Sequence, residues 1–481
     1  MKVKTITERP KEVPVICEAD VCVIGGGPAG IGAALGSART GAKTVLIERF
    51  GCLGGMQTTG LQCQYTFVDD KIQGGIVKEM IERLEEAGAL YVMPQASENQ
   101  GWGSPTGCMY FDAEYYKHML DTVMIEAGVE LYYHAFAVDA VVKNNMITTV
   151  IIETKEGRRA IEAKAFVDCT GTGDIAWKAG ASCLGDEGCP DTKYDPSSKG
   201  QHMGYGWVYY INNVDREKFN KYASENKEWE LFGRGKSAIK KAKENGELYL
   251  LRSSLVFLDH PDGRYWVMGP GFTLDEGRHP WEVEMMTKGE IDLRNQAWSL
   301  FNFLKKNVPG FENAYIEQTP MQPLLRDGHR IEGNYILTDE DMKKGRHFED
   351  SIGVCNMPPD LFFPSGAHRF EFNDALPYDI PYRALVSKDY SNLLGAGGTC
   401  SLNFYAWAAV RYATPSTSTG QAAGTAAALS ALNGTNAKDL DVVLIQEALK
   451  KQGLVITNKD LSNETIEEYR TRGERFQTLK L

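Results

Sequence analysis

The spacing of apolar residues changes twice within the first fifty positions. ADVCVI (19–24) is a short β-prone run, PAGIGAALGSARTG (28–41) keeps small and apolar residues at helical spacing, and AKTVLIE (42–48) is a second short run ending on an acid. Pro28 stands where a first helical turn begins and Gly41 where one stops. The pattern predicts strand, helix and strand within about 30 residues, the β-α-β unit of doubly wound sheets.

Further along, KEMIERLEEAG (78–88) and DAEYYKHMLDTVMIEAG (112–128) place apolar residues three and four apart and finish on glycine, as helices do. VDAVVKNNMITTVIIETKEGRRAIEAKAFVDC (138–169) reads as a small sheet with hairpins such as KEGR. From about 191 to 387 the pattern breaks. Strand-like aromatic runs (GYGWVYYI, ELYLLRSSLVFL, RYWVMGPGFTL) alternate there with a helix around VEMMTKGEIDLRNQAWSLFNFLKKNV. NLLGAGGT (392–399) then reads as strand and glycine turn, and TPSTSTGQAAGTAAALSAL (414–432) as a helix from about Pro415, thick with Gly and Ala.

The glycines of VIGGGPAG (23–30) fall in the first turn of the β-α-β unit, where each has a physical use. Gly25 permits a tight turn off the strand, Gly27 lets backbone approach a pyrophosphate, and Gly30 lets the helix pack close to the sheet. The helix start, with Pro28 and Ala29, offers unpaired N–H groups and the positive end of its dipole to phosphates. Glu48 follows Gly30 at close to the expected ~20 residues, so its carboxylate can accept ribose hydroxyls. An adenine dinucleotide is expected, and a 2′-phosphate would be repelled.

Two segments favour FAD. Gly51, Gly54 and Gly55 make a loop able to pass close to a bulky ligand. The small-residue helix near the C-terminus can bring its N-terminal amides to a flat ring and stabilise the negative charge that develops on a flavin pyrimidine. A second β-α-β fingerprint is not seen, so no resident nicotinamide domain is expected.

VIGGGPAG with IERFGCLGGM, VDCTGTGDIAWKAGA (167–181), FLKKNVPGFENAYI (303–316), YDIPYRAL (378–385), NLLGAGGTC and TGQAAGTAAAL occur in family order. In these the chain resembles the bacterial FAD-dependent oxidoreductases of the glutathione-reductase-type fold, related to fumarate reductase and thiazole-synthesis proteins. The resemblance implies cofactor contacts at Arg49 and Met56, at Ala137 beside adenine, and at Thr170, Gly171 and Asp174 on the pyrophosphate side. It places Gly397, Thr399, Gly420, Gln421 and Ala422 at the flavin end. Relatives that bind FAD covalently carry a histidine after the glycine loop; GGMQTTG here implies non-covalent FAD. AGG at 396–398 stands where relatives often have AGR, and SLNFYAWAAVR is aromatic where relatives are more polar.

The expected architecture is α/β. A three-layer, Rossmann-like FAD-binding domain covers 1–190 and 388–435, with a β-insert at about 130–170. An α+β substrate/cap domain covers 191–387. A polar helical tail, 436–481, serves as a surface element or a homo-oligomer contact.

Composition removes several alternatives. Net charge is −12, from 52 basic and 64 acidic residues, and no basic cluster exists to meet nucleic acid. No apolar run reaches the roughly 20 residues of a membrane span, and the opening segment lacks signal-peptide character. Ten cysteines without CxxC or zinc spacing fit reduced thiols in a cytoplasmic protein, with no metal.

Hydride transfer needs a substrate carbon near flavin N5 and a group that handles a proton. Arg326 and Arg330 could clamp a carboxylate or form an interdomain ion pair; His329 is a proton carrier or a structural histidine. By resemblance, Tyr382, Arg383 and Arg411 match family positions, and Tyr405 is a candidate donor on the flavin-side loop. The reading is therefore an FAD enzyme moving hydride to or from a small organic molecule. Its rivals are a thiazole-synthase-like enzyme that consumes a dinucleotide without flavin redox, and a non-catalytic flavoprotein or electron relay.

Overall fold

The structure is a computed structural model that describes residues 4–92, 109–190, 196–229, 234–260, 262–363, 368–370 and 376–478. Five strands run parallel in the order Glu130–Tyr132, Thr44–Ile47, Val15–Ile24, Gly157–Asp168 and Leu393–Gly395. Thr44–Ile47 and Leu393–Gly395 are buried throughout, as parallel strands covered on both faces must be. Gly157–Asp168 has two kinds of neighbour. Its first half pairs antiparallel with Met146–Thr154, and its last three residues pair parallel with Leu393–Gly395. Met146–Thr154 pairs in turn with Phe136–Lys143, so the predicted hairpins form, but as an antiparallel extension of the parallel sheet and not as a small sheet of their own.

The helix Pro28–Arg39 packs against Ala413–Asn433, and the small residues of both are explained by their separation. A Cβ on Gly32 would stand 2.1 Å from the Thr417 carbonyl oxygen, and one on Gly420 would stand 2.0 Å from the Ala29 oxygen. Hydrogen alone fits there, so the two backbones meet without intervening side chains. This contact brings the first and last helices of the sheet-binding layer side by side, with both N-termini toward the strand ends.

A second, antiparallel sheet has the order Val256–Asp259, Tyr265–Phe272, Tyr205–Asn212, Tyr315–Gln318. Alternation along Tyr205–Asn212 sorts its faces. Tyr205, Trp207, Tyr209 and Ile211 pack with the long helix Val283–Asn307, whereas Val208 and Tyr210 pack with Leu61, Trp266 and Leu324 on the opposite face. ELYLLRSSLVFL forms a strand only from Val256. Before it, the Leu251 amide donates to Gln296 Oε1 (3.0 Å), a side-chain bond that replaces a ladder bond.

The apolar cores divide the chain differently from the expected boundaries. One core spans Tyr205–Ala314. Residues from Leu337 to Val386, assigned to the cap by pattern, pack instead with the first and last helices, as do Ile445, Leu449 and Ile456 of the tail. Short antiparallel strands such as Ser351–Cys355, paired with Tyr378–Pro381, carry no signal of which core they join. Nine of the ten cysteines are described and all are free thiols; Cys108 lies outside the described residues. Among the described residues no helix is long and apolar enough to cross a membrane.

Candidate functional site

The strand Val15–Ile24 ends in the glycine turn, where the Gly25 amide donates to the Ile47 carbonyl (2.8 Å) and joins the two strand ends. Gly25 has φ +98°, and a Cβ on it would lie 2.5 Å from the Cys169 carbonyl oxygen. A Cβ on Gly30 would collide with the Gly25 oxygen at 1.8 Å, so Gly30 is a packing glycine and does not line the cavity. Gly27 differs: nothing lies within 3.9 Å of its Cβ direction except the Gly55 Cα at that distance. The helix ladder starts with the Ile31 amide donating to the Gly27 carbonyl (2.9 Å). The amides of Ala29 and Gly30 thus remain as the donors that every helix start offers.

Glu48 is buried beside this turn. Its Oε2 accepts from the Gly26 amide (2.7 Å) and its Oε1 from the Phe50 amide (2.8 Å). Burial pushes its carboxyl upward, against the pull of those amides. Arg49 donates to Gln322 Oε1 (2.6 Å), which ties this end to the segment beneath the second sheet. The chain at 134–137 wraps the same residues: the Ala135 amide donates to the Glu48 carbonyl (3.0 Å), and Ala137 borders the cavity.

Asp168 closes the opposite wall. Fully buried at the strand end, it accepts from the Thr170 amide and hydroxyl and from the Ile175 and Ala176 amides. These four bonds shape the loop that presents Thr170, Gly171 and Asp174. Burial raises the Asp168 carboxyl, and its donors oppose that.

One cavity of about 590 Å³ joins these walls, and it runs from Glu48 past the glycine turn to the start of the last helix. That volume lies within the range of cofactor and ligand clefts. Gly25, Gly27, Pro28, Ala29, Glu48, Arg49, Gly55, Met56, Ala137, Thr170, Gly171 and Asp174 line it. At its far end the lining passes to Ala396, Gly398, Trp407, Tyr412, Ala413 and Ser416.

The far-end residues expected from resemblance lie elsewhere. Gly420 abuts Ala29, Gln421 donates to Gln452 Oε1 and accepts from the Ile76 amide, and Ala422 is buried in the core. All three belong to helix packing, one turn or more below the end of the helix that borders the cavity. Gly397 (φ +62°) sits where a Cβ would meet Ser416 and Ala29, and Thr399 is buried; neither lines the cavity. Gly54 (φ +101°) holds the loop through its amide, which donates to the Gly26 carbonyl (2.9 Å), and is likewise set back.

Of the seven candidate catalytic residues, Arg326 and Arg411 reach the cavity. They share one carboxylate: Asp360 Oδ2 lies 3.3 Å from Arg326 Nη1 and 2.9 Å from Arg411 Nη2. The Tyr412 hydroxyl also donates to Asp360, and burial and that charge push the phenol well up. His329 faces away from the cavity. It is stacked on Trp177 (5.1 Å between ring centres) and against Trp281 (4.0 Å), and burial holds it below its ordinary value. Arg330 pairs with Glu187 and Asp327. Tyr382 donates to the Ala437 carbonyl (2.7 Å), Arg383 pairs with Asp350, and Tyr405 is half-buried on the helix Phe404–Val410. These five do not line the cavity.

Sequence reasoning missed Arg252, Asp360 and Tyr412. The available signal for Arg252 was a lone cation inside an apolar run, LLRSSL. Asp360 and Tyr412 carried none.

The parallel sheet, glycine turn, acid at the second strand and helix starts at both cavity ends define a dinucleotide-binding α/β protein. A family model described as FAD dependent oxidoreductase matches residues 20–449. The chain belongs to that FAD-dependent oxidoreductase family, and FAD is its cofactor. It is 27% identical over 164 residues to thiamine thiazole synthases of Saccharolobus islandicus and Saccharolobus solfataricus, a match covering 32% of this chain. It spans about half, 55%, of the length of those relatives. Among solved structures it is similar to a geranylgeranyl bacteriochlorophyll reductase-like protein from Thermoplasma acidophilum (13% identity, TM-score 0.44, 96% of this chain and 88% of that one). It is also similar to p-nitrophenol 4-monooxygenase from Pseudomonas putida (12%, TM-score 0.44, 96% and 89%).

Proposed function

We propose that this FAD enzyme transfers hydride between a small organic substrate and flavin N5, with the substrate held under the antiparallel sheet. The observation that carries the reading is the single cavity that continues from the last helix start to Arg326, Arg252, Trp266 and Leu324. The glycine-turn part of the cavity would hold the dinucleotide, and the part lined by the second sheet would be left for a substrate.

The residues fit the cofactor. Gly27 has open space where a Cβ would stand, and Arg411 Nε, on the cavity wall, is a buried polar atom without a partner among the described residues. The Gly27 and Ala29 amides would hold the pyrophosphate, Glu48 the ribose, and the start of the helix Ala413–Asn433 the pyrimidine edge. When bound, FAD supplies the hydride acceptor or donor. The chain orients it, excludes water and keeps Tyr412 protonated beside Asp360.

The attachment is non-covalent in this reading. Cys169 is the one described cysteine that borders the cavity, and its buried thiol is pushed far from the thiolate form. The discontinuous cofactor domain, the cap and a cytoplasmic setting belong to the same proposal.

The test is anaerobic. Purified protein should carry a flavin band that bleaches with dithionite, and acid precipitation should release the flavin. A panel of small organic substrates should then reduce or reoxidise it. The similarity to thiazole synthases favours one second reading: colourless protein holding an adenylated, non-flavin compound would establish that reading instead.

A further inference from the structure

Three guanidinium groups converge at the ring end of the cavity against one carboxylate. Arg326 and Arg411 share Asp360, whereas Arg252 has no hydrogen bond or ion pair among the described residues. Arg252 is only 7% exposed, and its guanidinium carbon lies 5.0 Å from the centre of the Phe362 ring. Arg326 stands the same distance from that ring. Two cations therefore share one aromatic surface, which screens them less than a carboxylate would.

A buried charge without a directly paired counterion among the described residues is costly, and interiors carry one where something else can neutralise it. Burial and the neighbouring Arg326 charge pull Arg252 down to about 10, against the attraction of the Asp360 carboxylate, so it still carries its proton at neutral pH. Ser253 and Ser254 border the cavity beside it and supply neutral donors. The opposite surface is apolar: Val256, Leu258, Trp266 and Met268 from the second sheet. The pocket thus offers an anion-binding corner and an oily wall.

We infer that Arg252 is the carboxylate-binding residue of the substrate pocket, and that the substrate is an organic acid whose apolar or aromatic body lies against the Val256–Trp266 wall. The inference rests on the functional reading above. Arg252 meets the carboxylate with its planar fork, in two parallel N–H···O bonds, while Asp360 holds one nitrogen each of Arg326 and Arg411. No covalent step is assigned to it; it is a binding residue.

The experiment uses flavin-loaded full-length protein and titrates benzoate against benzamide, a neutral molecule of the same shape. The readouts are the flavin absorption band, calorimetry and the melting temperature. Benzoate should bind and raise the melting temperature by mass action, and benzamide should bind at least about tenfold more weakly. Arg252→Gln should weaken benzoate by about tenfold or more and leave flavin content unchanged. Arg252→Lys, which keeps the charge without the fork, should fall between. Equal binding of benzoate and benzamide, or wild-type benzoate affinity in Arg252→Gln, overturns the inference. Inorganic phosphate that binds more tightly than benzoate overturns the carboxylate assignment. Protein that never takes up flavin fails the functional reading itself, a result distinct from flavin-loaded protein that ignores benzoate.

Discussion

Gly424 of the last helix lies so close to Ala33 of the first that a Cβ on it would stand 1.9 Å from the Ala33 carbonyl oxygen. Neither backbone can yield without shifting a helix start that lines the cofactor cavity. Gly424→Ala should therefore cost at least about 1–3 kcal/mol in urea unfolding, the range for overpacking a close-packed core. Flavin affinity should fall with it. Gly353→Ala, where nothing lies within 4 Å of the added carbon, is the control and should be near neutral.

Asp360 is the hub of a buried network, and removing it should cost more than removing either arm. Asp360→Asn leaves Arg326 and Arg411 without their shared counterion, and about 3–5 kcal/mol of stability should be lost. Adding Arg326→Gln to that variant should recover part of the loss, because the pair is coupled. Chemical denaturation of the single and double variants checks this; strictly additive losses would contradict it.

Glu48 accepts two backbone amides at once, and an amide side chain cannot. In Glu48→Gln one of its positions becomes a donor facing a donor. The glycine turn should then loosen, and flavin binding should weaken by about 1–3 kcal/mol, measured by flavin titration of stripped protein. Burial already raises this carboxyl, so acidification should weaken flavin binding in the wild type and leave the glutamine variant flat by comparison.

His329 gives a stability prediction whose sign follows from its lowered value. Burial between Trp177 and Trp281 disfavours its protonated form, so over the window just below the ordinary 6.5 the unfolded chain binds a proton that the folded chain does not. The His329 contribution is complete above pH 6.5 and declines as pH falls through that range. Stability measured from pH 7.5 to 5 should drop, and His329→Gln should flatten the drop. Because the ring does not border the cavity, flavin content of that variant should match the wild type.

The cofactor half of the site was readable because its constraints are local. A glycine turn, a helix start and an acid near 20 residues on are fixed by short-range geometry, so spacing alone picked out Gly25, Gly27 and Glu48, which line the cavity. The same locality misled at Gly420, Gln421 and Ala422. A run of small residues marks close approach, but the sequence does not say whether to a ligand or to another helix; the partner here is Ala29.

The buried arginine cluster at the other end of the cavity had no such local code. Arg252, Arg326, Asp360 and Arg411 come from four separate segments and meet only when the second sheet covers the cavity. His329 and Arg330, chemically the better candidates by type, do not border the cavity: His329 is held between Trp177 and Trp281, and Arg330, in the short strand that pairs with Cys183–Leu184, is tied to Glu187 and Asp327. The sequence by itself determined the α/β class, the dinucleotide turn and the close-packed helices, since periodicity and glycine placement act over a few residues. Which charged side chains share a buried corner was decided by tertiary structure alone, because burial and pairing of charge depend on what the rest of the chain places within a few ångströms.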